Sequence, residues 1–334
     1  PRIRTAADLR SPGRCPINLS ALGKVWDAVV VGSGPNGLAA AVALAEAGRS
    51  VLLLEGHSEV GGGLRTAELT LPGFHHDVCS AIHPMGVLSP FFARLPLDQH
   101  GLLWRTFPHS VGHPLDGEAV LLGKSVDEIA DRLGPDGPAY RRFVGPFVTA
   151  GRALFEDVLA PPLRFPKKPF LFARFGLLGL QPATWLARRF KTPAARALLA
   201  GCAAHSILPL NFLGTGAMGL VFLASAHVAD WPCARGGSGA IARALVSLFR
   251  SLGGEVRTGT WVSSLKDLPP HRVALFDTSP AALAAIAGDG LPERYKRALG
   301  RFRMGPGLFK LDFALSGEIP WRDPALAGAS TVHV

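Results

Sequence analysis

Hydrophobic positions near the start of the chain come in unbroken runs. Asp27–Val31 reads as a buried strand, Asn36–Ala47 as an Ala-rich helix ended by Gly48 as its left-handed cap, and Ser50–Glu55 as a second buried strand. A strand, a helix and a strand in such close succession imply a right-handed crossover and a parallel sheet. Arg65–Leu71 is expected to be extended, with Leu71-Pro72-Gly73 as its turn, and Pro114–Gly117 to turn a hairpin that carries Val120–Leu122 away from the first domain. Helical patterning fills much of Ser125–Val228, broken at Pro161–Pro169. After Trp231 the α/β pattern returns, with a helix at Ser238–Leu252, short strands around Glu255–Ser263 and a buried strand at Arg272–Phe276. Leu308–Leu315 alternates like a strand, and Thr331–Val334 is another strand-like run.

This succession predicts an α/β protein in two parts. Residues 25–100 and 231–290 form a discontinuous nucleotide-binding domain, residues 101–230 and 291–334 an inserted α+β substrate (cap) domain, and residues 1–24 an N-terminal extension. That extension is Arg-rich but has no initiator Met and no apolar core, so it does not read as a secretory signal. It reads as a translated upstream extension or a mitochondrial presequence.

Composition changes this picture in one place. The chain has 334 residues, 48% of them hydrophobic, and a formal charge of +10, enough apolar material for sizeable cores. From Val158 to Ala229 there is no Asp or Glu, while Arg164, Lys167, Lys168, Arg174, Arg188, Arg189, Lys191 and Arg196 supply positive charge. Interleaved with them are Phe165, Phe170, Phe172, Phe175, Leu177, Leu178, Leu180 and Trp185. Residues 163–196 therefore read as a peripheral surface for anionic membranes, or as the solvated basic face of a cap domain. Nucleic acid is not expected, because no binding module accompanies the charge. No apolar run approaches the ~18 residues that span a bilayer. Cys15, Cys79, Cys202 and Cys233 form no C-x-x-C pair, which predicts free thiols in a reducing, cytoplasmic compartment, with attachment to the inner face of the membrane as the peripheral alternative.

The chemistry concentrates near the first strand. Gly32-Ser33-Gly34-Pro35-Asn36-Gly37 matches G-x-G-x-x-G between a strand and a helix. There Gly32 permits the tight turn, Gly34 lets backbone approach a pyrophosphate, and Gly37 allows the helix to pack on the strand. Glu55, at the end of the second strand, is placed to accept hydrogen bonds from an adenosine ribose, and its charge disfavours a 2′-phosphate. A second glycine loop, Gly61-Gly62-Gly63-Leu64-Arg65-Thr66, lets a longer cofactor run past, which selects FAD over NAD, with Arg65 offsetting phosphate charge.

Other matches fail on context. Gly214–Gly219 fits the same G-x-G-x-x-G string but has Gly237 where an acidic residue belongs, and reads as small residues at a close helix contact. His75, His76 and His83, and His109 with His113, do not combine helical placement with a carboxylate or thiolate at ligand spacing, so no metal is expected. No G-x-S-x-G follows a strand, which argues against a serine hydrolase.

On Val30–Gly37, Gly61–Pro84, Arg235–Thr258 and Met304–Trp321, the chain resembles the bacterial phytoene dehydrogenase-like flavoproteins, a group that also includes an animal pyridine nucleotide-disulfide oxidoreductase domain-containing protein 2. The resemblance implies a Rossmann-like FAD-binding domain of the flavin amine oxidase and phytoene desaturase type. It also implies an FAD-dependent oxidoreductase that removes hydride from an apolar, isoprenoid or lipid-like substrate. A flavin amine oxidase-like enzyme and a non-catalytic flavin-binding interaction protein are the alternatives. Carried over by resemblance, backbone at Val262 holds the adenine, Ser80–His83 lies near the isoalloxazine, and Lys310 stands beside flavin N5, making Lys310 and His83 the catalytic candidates. The resemblance further implies a C-terminally incomplete chain, since such proteins continue into a last glycine-rich motif.

Overall fold

The computed structural model describes residues 24–161 and 164–334; the expected extension before Lys24, Cys15 and Leu163 lie outside the described residues. The chain passes from β1 (Trp26–Val31) through α1 (Pro35–Glu46) to β2 (Val51–Leu54), then a hairpin of β3 (Thr66–Glu68) and β4 (His75–Asp77), and the short helices α2 (Pro84–Leu88) and α3 (Pro90–Ala93). β5 (Trp104–Arg105), β6 (His109–His113) and β7 (Val120–Leu122) lead into α4 (Val126–Arg132), α5 (Gly137–Ala150), α6 (Arg152–Val158), α7 (Pro169–Gly179), α8 (Ala183–Leu186), α9 (Pro193–Ala204) and α10 (Thr215–Ala229). β8 (Cys233–Ala234) precedes α11 (Gly239–Ser251), β9 (Glu255–Arg257), β10 (His271–Phe276), α12 (Pro280–Ala287), α13 (Glu293–Gly300) and β11 (Ala329–Val332).

The nucleotide-binding end is a four-stranded parallel sheet in the order β10-β1-β2-β9. Val29, Val30, Val51, Leu52 and Leu53 are fully buried, as expected for strands covered on both faces. On one face α1 and α11 pack with Ala41, Ala45, Ala240 and Ala244 among the buried residues, and these small side chains let the helices approach the sheet closely. On the other face Trp26, Val29, Val31, Leu52 and Leu54 pack with Val262 and Leu268. Pro35 opens α1, and Gly48 closes the turn after it at φ 72°, a conformation that strongly favours glycine. The registers Val31↔Phe276, Val31↔Leu54 and Leu54↔Arg257 bring the C-terminal ends of all four strands to one edge.

The helical region has its own core, centred on Tyr140, Phe147, Phe155, Leu198, Leu199 and Trp231. Inside it Tyr140 Oη lies 2.7 Å from His227 Nε2, and the Trp231 indole N–H donates to Ser225 Oγ at 2.9 Å. Two glycines of the misleading second string, Gly216 and Gly219, are indeed contact residues, while a Cβ on Gly214 would meet nothing within 4 Å. A Cβ on Gly216 would lie 2.6 Å from the Gln181 carbonyl oxygen, and one on Gly219 2.8 Å from Leu199 Cδ1.

Three strand expectations differ. The strand expected to be buried at Arg272–Phe276 forms as β10 but lies at the edge of the sheet, with none of its residues buried and Val273 exposed. Leu308–Leu315 forms no strand; Leu308, Phe309, Leu311 and Phe313 are exposed, because alternation only defines two faces and no described strand pairs with the segment. The strands expected around Glu255–Ser263 reduce to β9, since after Arg257 the backbone turns to meet Glu55 and His57. The hairpin at Pro114–Gly117 does form, joining β6 to β7, and β11 adds to β6 in parallel.

Where β11 meets β6, three imidazoles make a chain. His113 Nε2 is 3.1 Å from His333 Nδ1, and His333 Nε2 is 3.1 Å from His205 Nε2. Burial pushes His113 down to about 4; burial, reinforced by His113 and His205, pushes His333 to about 4 as well. Between that value and the ordinary histidine range near 6.5 the unfolded chain binds protons that the folded chain refuses. These groups therefore leave stability unchanged above pH ~6.5 and reduce it progressively as pH falls toward ~4. Urea unfolding followed across this window should show falling midpoints, and His333→Gln should flatten the slope; parallel profiles for the two proteins would contradict the assignment.

Candidate functional site

At the C-terminal edge of the parallel sheet two glycine loops touch. Gly32, at φ 99°, turns the chain from β1 into α1, and a Cβ there would lie 2.4 Å from the Asp277 carbonyl oxygen. Gly61 and Gly62, also at positive φ, turn the chain after β2, and a Cβ on Gly62 would lie 3.1 Å from Gly34 Cα. Only residues without side chains permit this approach of backbone to backbone. Gly63 and Leu64 form a single helical turn with Gly62, and Arg65 Nε donates to the Gly62 carbonyl at 3.0 Å, fixing the base of that side chain beside the loop.

Ser33 joins the loops. Its amide donates to Glu55 Oε2 at 3.0 Å and its hydroxyl donates to the same oxygen. In return the Gly61 amide donates to Ser33 Oγ at 3.0 Å and to the Ser33 carbonyl at 3.1 Å. Glu55 Oε1 accepts from the His57 amide at 2.9 Å. The carboxylate is buried but keeps lone-pair capacity for a further donor such as a ribose hydroxyl.

Asp277, which the sequence reading missed, completes the cradle. It follows β10, and its Oδ2 accepts from the Gly37 amide at 2.9 Å, placing a carboxylate at the positive end of α1. A Cβ on Gly34 would lie 2.5 Å from this oxygen and one on Gly37 2.9 Å, so these glycines are also required by the neighbouring strand. Pro35 has no N–H to offer, which leaves Asn36 as the other donor of the first helical turn. Trp261 was also missed. Its ring covers Gly56, where a Cβ would lie 2.4 Å from it, and it stands edge-on to His57. The backbone before it is tied to the end of β2, because the Thr260 amide donates to the Glu55 carbonyl at 2.8 Å. Val262 follows, buried against the sheet.

A second network lies beyond Arg65. Thr66 Oγ1 donates to Asp77 Oδ1 at 2.6 Å across the β3–β4 hairpin and accepts from the Gly239 amide at 2.9 Å; Asp77 Oδ1 also accepts from the Ser238 amide at 2.7 Å. The Ser238 hydroxyl donates to the Ser80 carbonyl, so at its 2.7 Å contact with His83 Nε2 it acts as acceptor. This assigns the His83 proton to Nε2 and leaves Nδ1 as an acceptor. Burial lowers the His83 pKa, with Asp77 opposing, so the ring is neutral at pH 7. Asp77 bonds Ser238 and Thr66 instead of orienting His83, and the group is not a hydrolytic triad.

Lys310 lies elsewhere. Its ammonium pairs with Asp312, which is 3.5 Å from His76 Nδ1 on β4, and no described polar contact joins it to His83 or to the glycine loops. The strand that was to carry it is absent, so its expected place beside flavin N5 loses its structural support. Among the described residues no group of His, Cys, Asp and Glu is arranged to hold a metal, and no helix is long and apolar enough to cross a membrane.

The family described as NAD(P)-binding Rossmann-like domain matches residues 30–95, the span holding both glycine loops and Glu55. Over 63 residues, 19% of this chain and 10% of the relative, the sequence is 52% identical to an all-trans-retinol 13,14-reductase of Danio rerio. Over 111 residues, 32% of this chain and 22% of the relative, it is 36% identical to a carotenoid 3,4-desaturase of Haloarcula japonica. The matches thus span less than a quarter of either relative. A crystal structure of a Pyrococcus furiosus protein superposes at a TM-score of 0.54 and 16% identity, covering 83% of this chain and 65% of that one. The class is therefore a Rossmann-like dinucleotide-binding domain in a mixed α/β chain, and its sequence relatives include oxidoreductases.

Ser33 donates and accepts at the centre of the cradle, and Ser33→Ala strands Glu55 and the Gly61 amide with fewer partners. The variant should lose about 1–3 kcal/mol of stability, read as a lower urea midpoint at unchanged slope. A midpoint equal to that of the parent would show that the hydroxyl is dispensable.

Proposed function

We propose that this chain binds FAD and belongs to an FAD-dependent oxidoreductase that takes hydride from an apolar, isoprenoid or lipid-like substrate. The observation that carries the reading is the direct contact of the two glycine loops at Gly34 and Gly62, with Glu55 buried at their edge. The first loop suits a pyrophosphate and Glu55 a ribose. The second continues the glycine-lined backbone past that position toward Arg65, Thr66 and His83, a length that suits a flavin dinucleotide. The substrate class is supported by the relatives, one named for all-trans-retinol and the other for a carotenoid.

Within this reading, FAD supplies the hydride-accepting centre when bound. Glu55 would hold the ribose, the Asn36 amide and Arg65 would hold the phosphates, and backbone at Val262 would hold the adenine. His83 occupies the far end, where Ser238 holds its Nε2–H and the neutral Nδ1 is left able to accept a hydrogen bond. The sealed network of Thr66, Asp77 and Ser238 keeps that ring in place.

Glu55→Ala removes a charged acceptor and should weaken FAD roughly 10- to 100-fold, measured by quenching of flavin fluorescence on titration with purified protein. Equal affinity in parent and variant, or tighter binding of NAD than of FAD by the parent, would refute the reading.

A further inference from the structure

Helix α7 has two apolar faces, and only one of them is used. Phe175 and Gly179 turn inward; the Phe175 ring meets Phe147, and a Cβ on Gly179 would lie 3.0 Å from Ala217 Cβ. The opposite side carries Phe170 and Leu177, 91% and 71% exposed and two turns apart on one stripe. Phe165 precedes the helix at 82% exposure and Leu180 follows it at 68%.

A second, distant segment extends this face. The Gly214 amide donates to the Leu180 carbonyl at 3.0 Å, and the Thr184 amide donates to the Leu210 carbonyl at 3.2 Å. These bonds set the exposed Phe212 and Leu213 beside the end of α7 and beside exposed Trp185 on α8. Aromatic and aliphatic tips from three segments thus share one surface, although the inner face of α7 already satisfies the packing of the fold.

Charge frames this surface in one sign only. Lys168, Arg188, Arg189 and Lys191 are exposed, and among the described residues none of them is in an ion pair. The nearby carboxylates are turned inward or neutralised. Asp157 is buried, accepts from the Lys167 and Lys168 amides at 2.8 and 3.0 Å, and lies 3.6 Å from Arg164. Glu156 pairs with Lys167 at 2.6 Å. Asp136 is buried under the Lys191 and Thr192 amides.

We infer that the outer face of α7, with the Phe212–Leu213 loop and Trp185, docks this protein on an anionic phospholipid bilayer. Apolar tips enter the acyl boundary while unpaired cations meet lipid phosphates, the arrangement of an interfacial helix. The occupant is a bilayer and not a second copy of the chain, because an isologous pairing would set these unpaired cations against one another. This contact is peripheral, because the side chains of the surface reach the acyl boundary without crossing the bilayer.

Cosedimentation of the full chain with vesicles tests this, using phosphatidylcholine alone and an equal mixture of phosphatidylcholine and phosphatidylglycerol. Binding is expected to the mixture and not to phosphatidylcholine alone, and it should decline steeply as salt is raised. Phe170→Ser with Leu177→Ser, and separately Arg188→Glu with Arg189→Glu, should each lower the partition coefficient at least about tenfold with thermal melts like that of the parent. If the apolar pair lowers the melt, the charge pair and the salt titration of the parent decide. Absence of sedimentation with the mixture at low salt, equal binding to both vesicle types, or unchanged partition in the charge pair would overturn the proposal. So would a dimer on size-exclusion chromatography that Phe170→Ser with Leu177→Ser dissolves.

Discussion

The buried hydrogen bonds from Ser33 to Glu55 tie the turn after β1 to the end of β2, and the rest of the cradle is arranged around them. Without a partner, the Glu55 carboxylate would be a costly group to bury; with two donors from Ser33 and one from His57 it is held rigidly. The same serine then receives the Gly61 amide, so that the second glycine loop takes its position from the first. The buried carboxylate and the path of the second glycine loop are thus both set by one side chain.

Much of this was legible from spacing. Gly32, Gly34, Gly37 and Glu55 declare themselves because their separations are fixed by a turn, a helix and a strand of regular length. The strands and helices flanking them followed from apolar runs that only a sheet covered on both faces explains. Asp277 gave no such signal. It lies 240 residues from the Gly37 amide it accepts from, and nothing local distinguishes it from an aspartate at any strand end. Ser238 and Asp77, 161 residues apart, are likewise joined only by the fold. Trp261 left a fainter trace in Gly56, a glycine directly after Glu55 whose need becomes plain only when the ring is seen above it.

The failure at Leu308–Leu315 is instructive in the opposite direction. Alternation there describes a ribbon with one apolar side, but a strand exists only when a neighbour accepts and donates along its length. Sequence reports the first condition and is silent on the second. Lys310 inherits that gap: its role rested on a strand, and in the fold its charge is met by Asp312.

The pairing of β1 with β10 has a consequence for biosynthesis. Residues 26–31 and 271–276 are neighbours in the sheet, so the ribosome must deliver the whole helical region before the valine-rich first strand gains its second partner. Until then one margin of that strand presents unpaired amides and carbonyls on a strongly apolar ribbon, the kind of template on which nascent chains cross-associate. The late-arriving β10 brings Asp277 with it, so completing the pairing of β1 and installing the carboxylate over α1 are the same event. A chain halted before β10 would therefore lack both and keep the bare edge of β1.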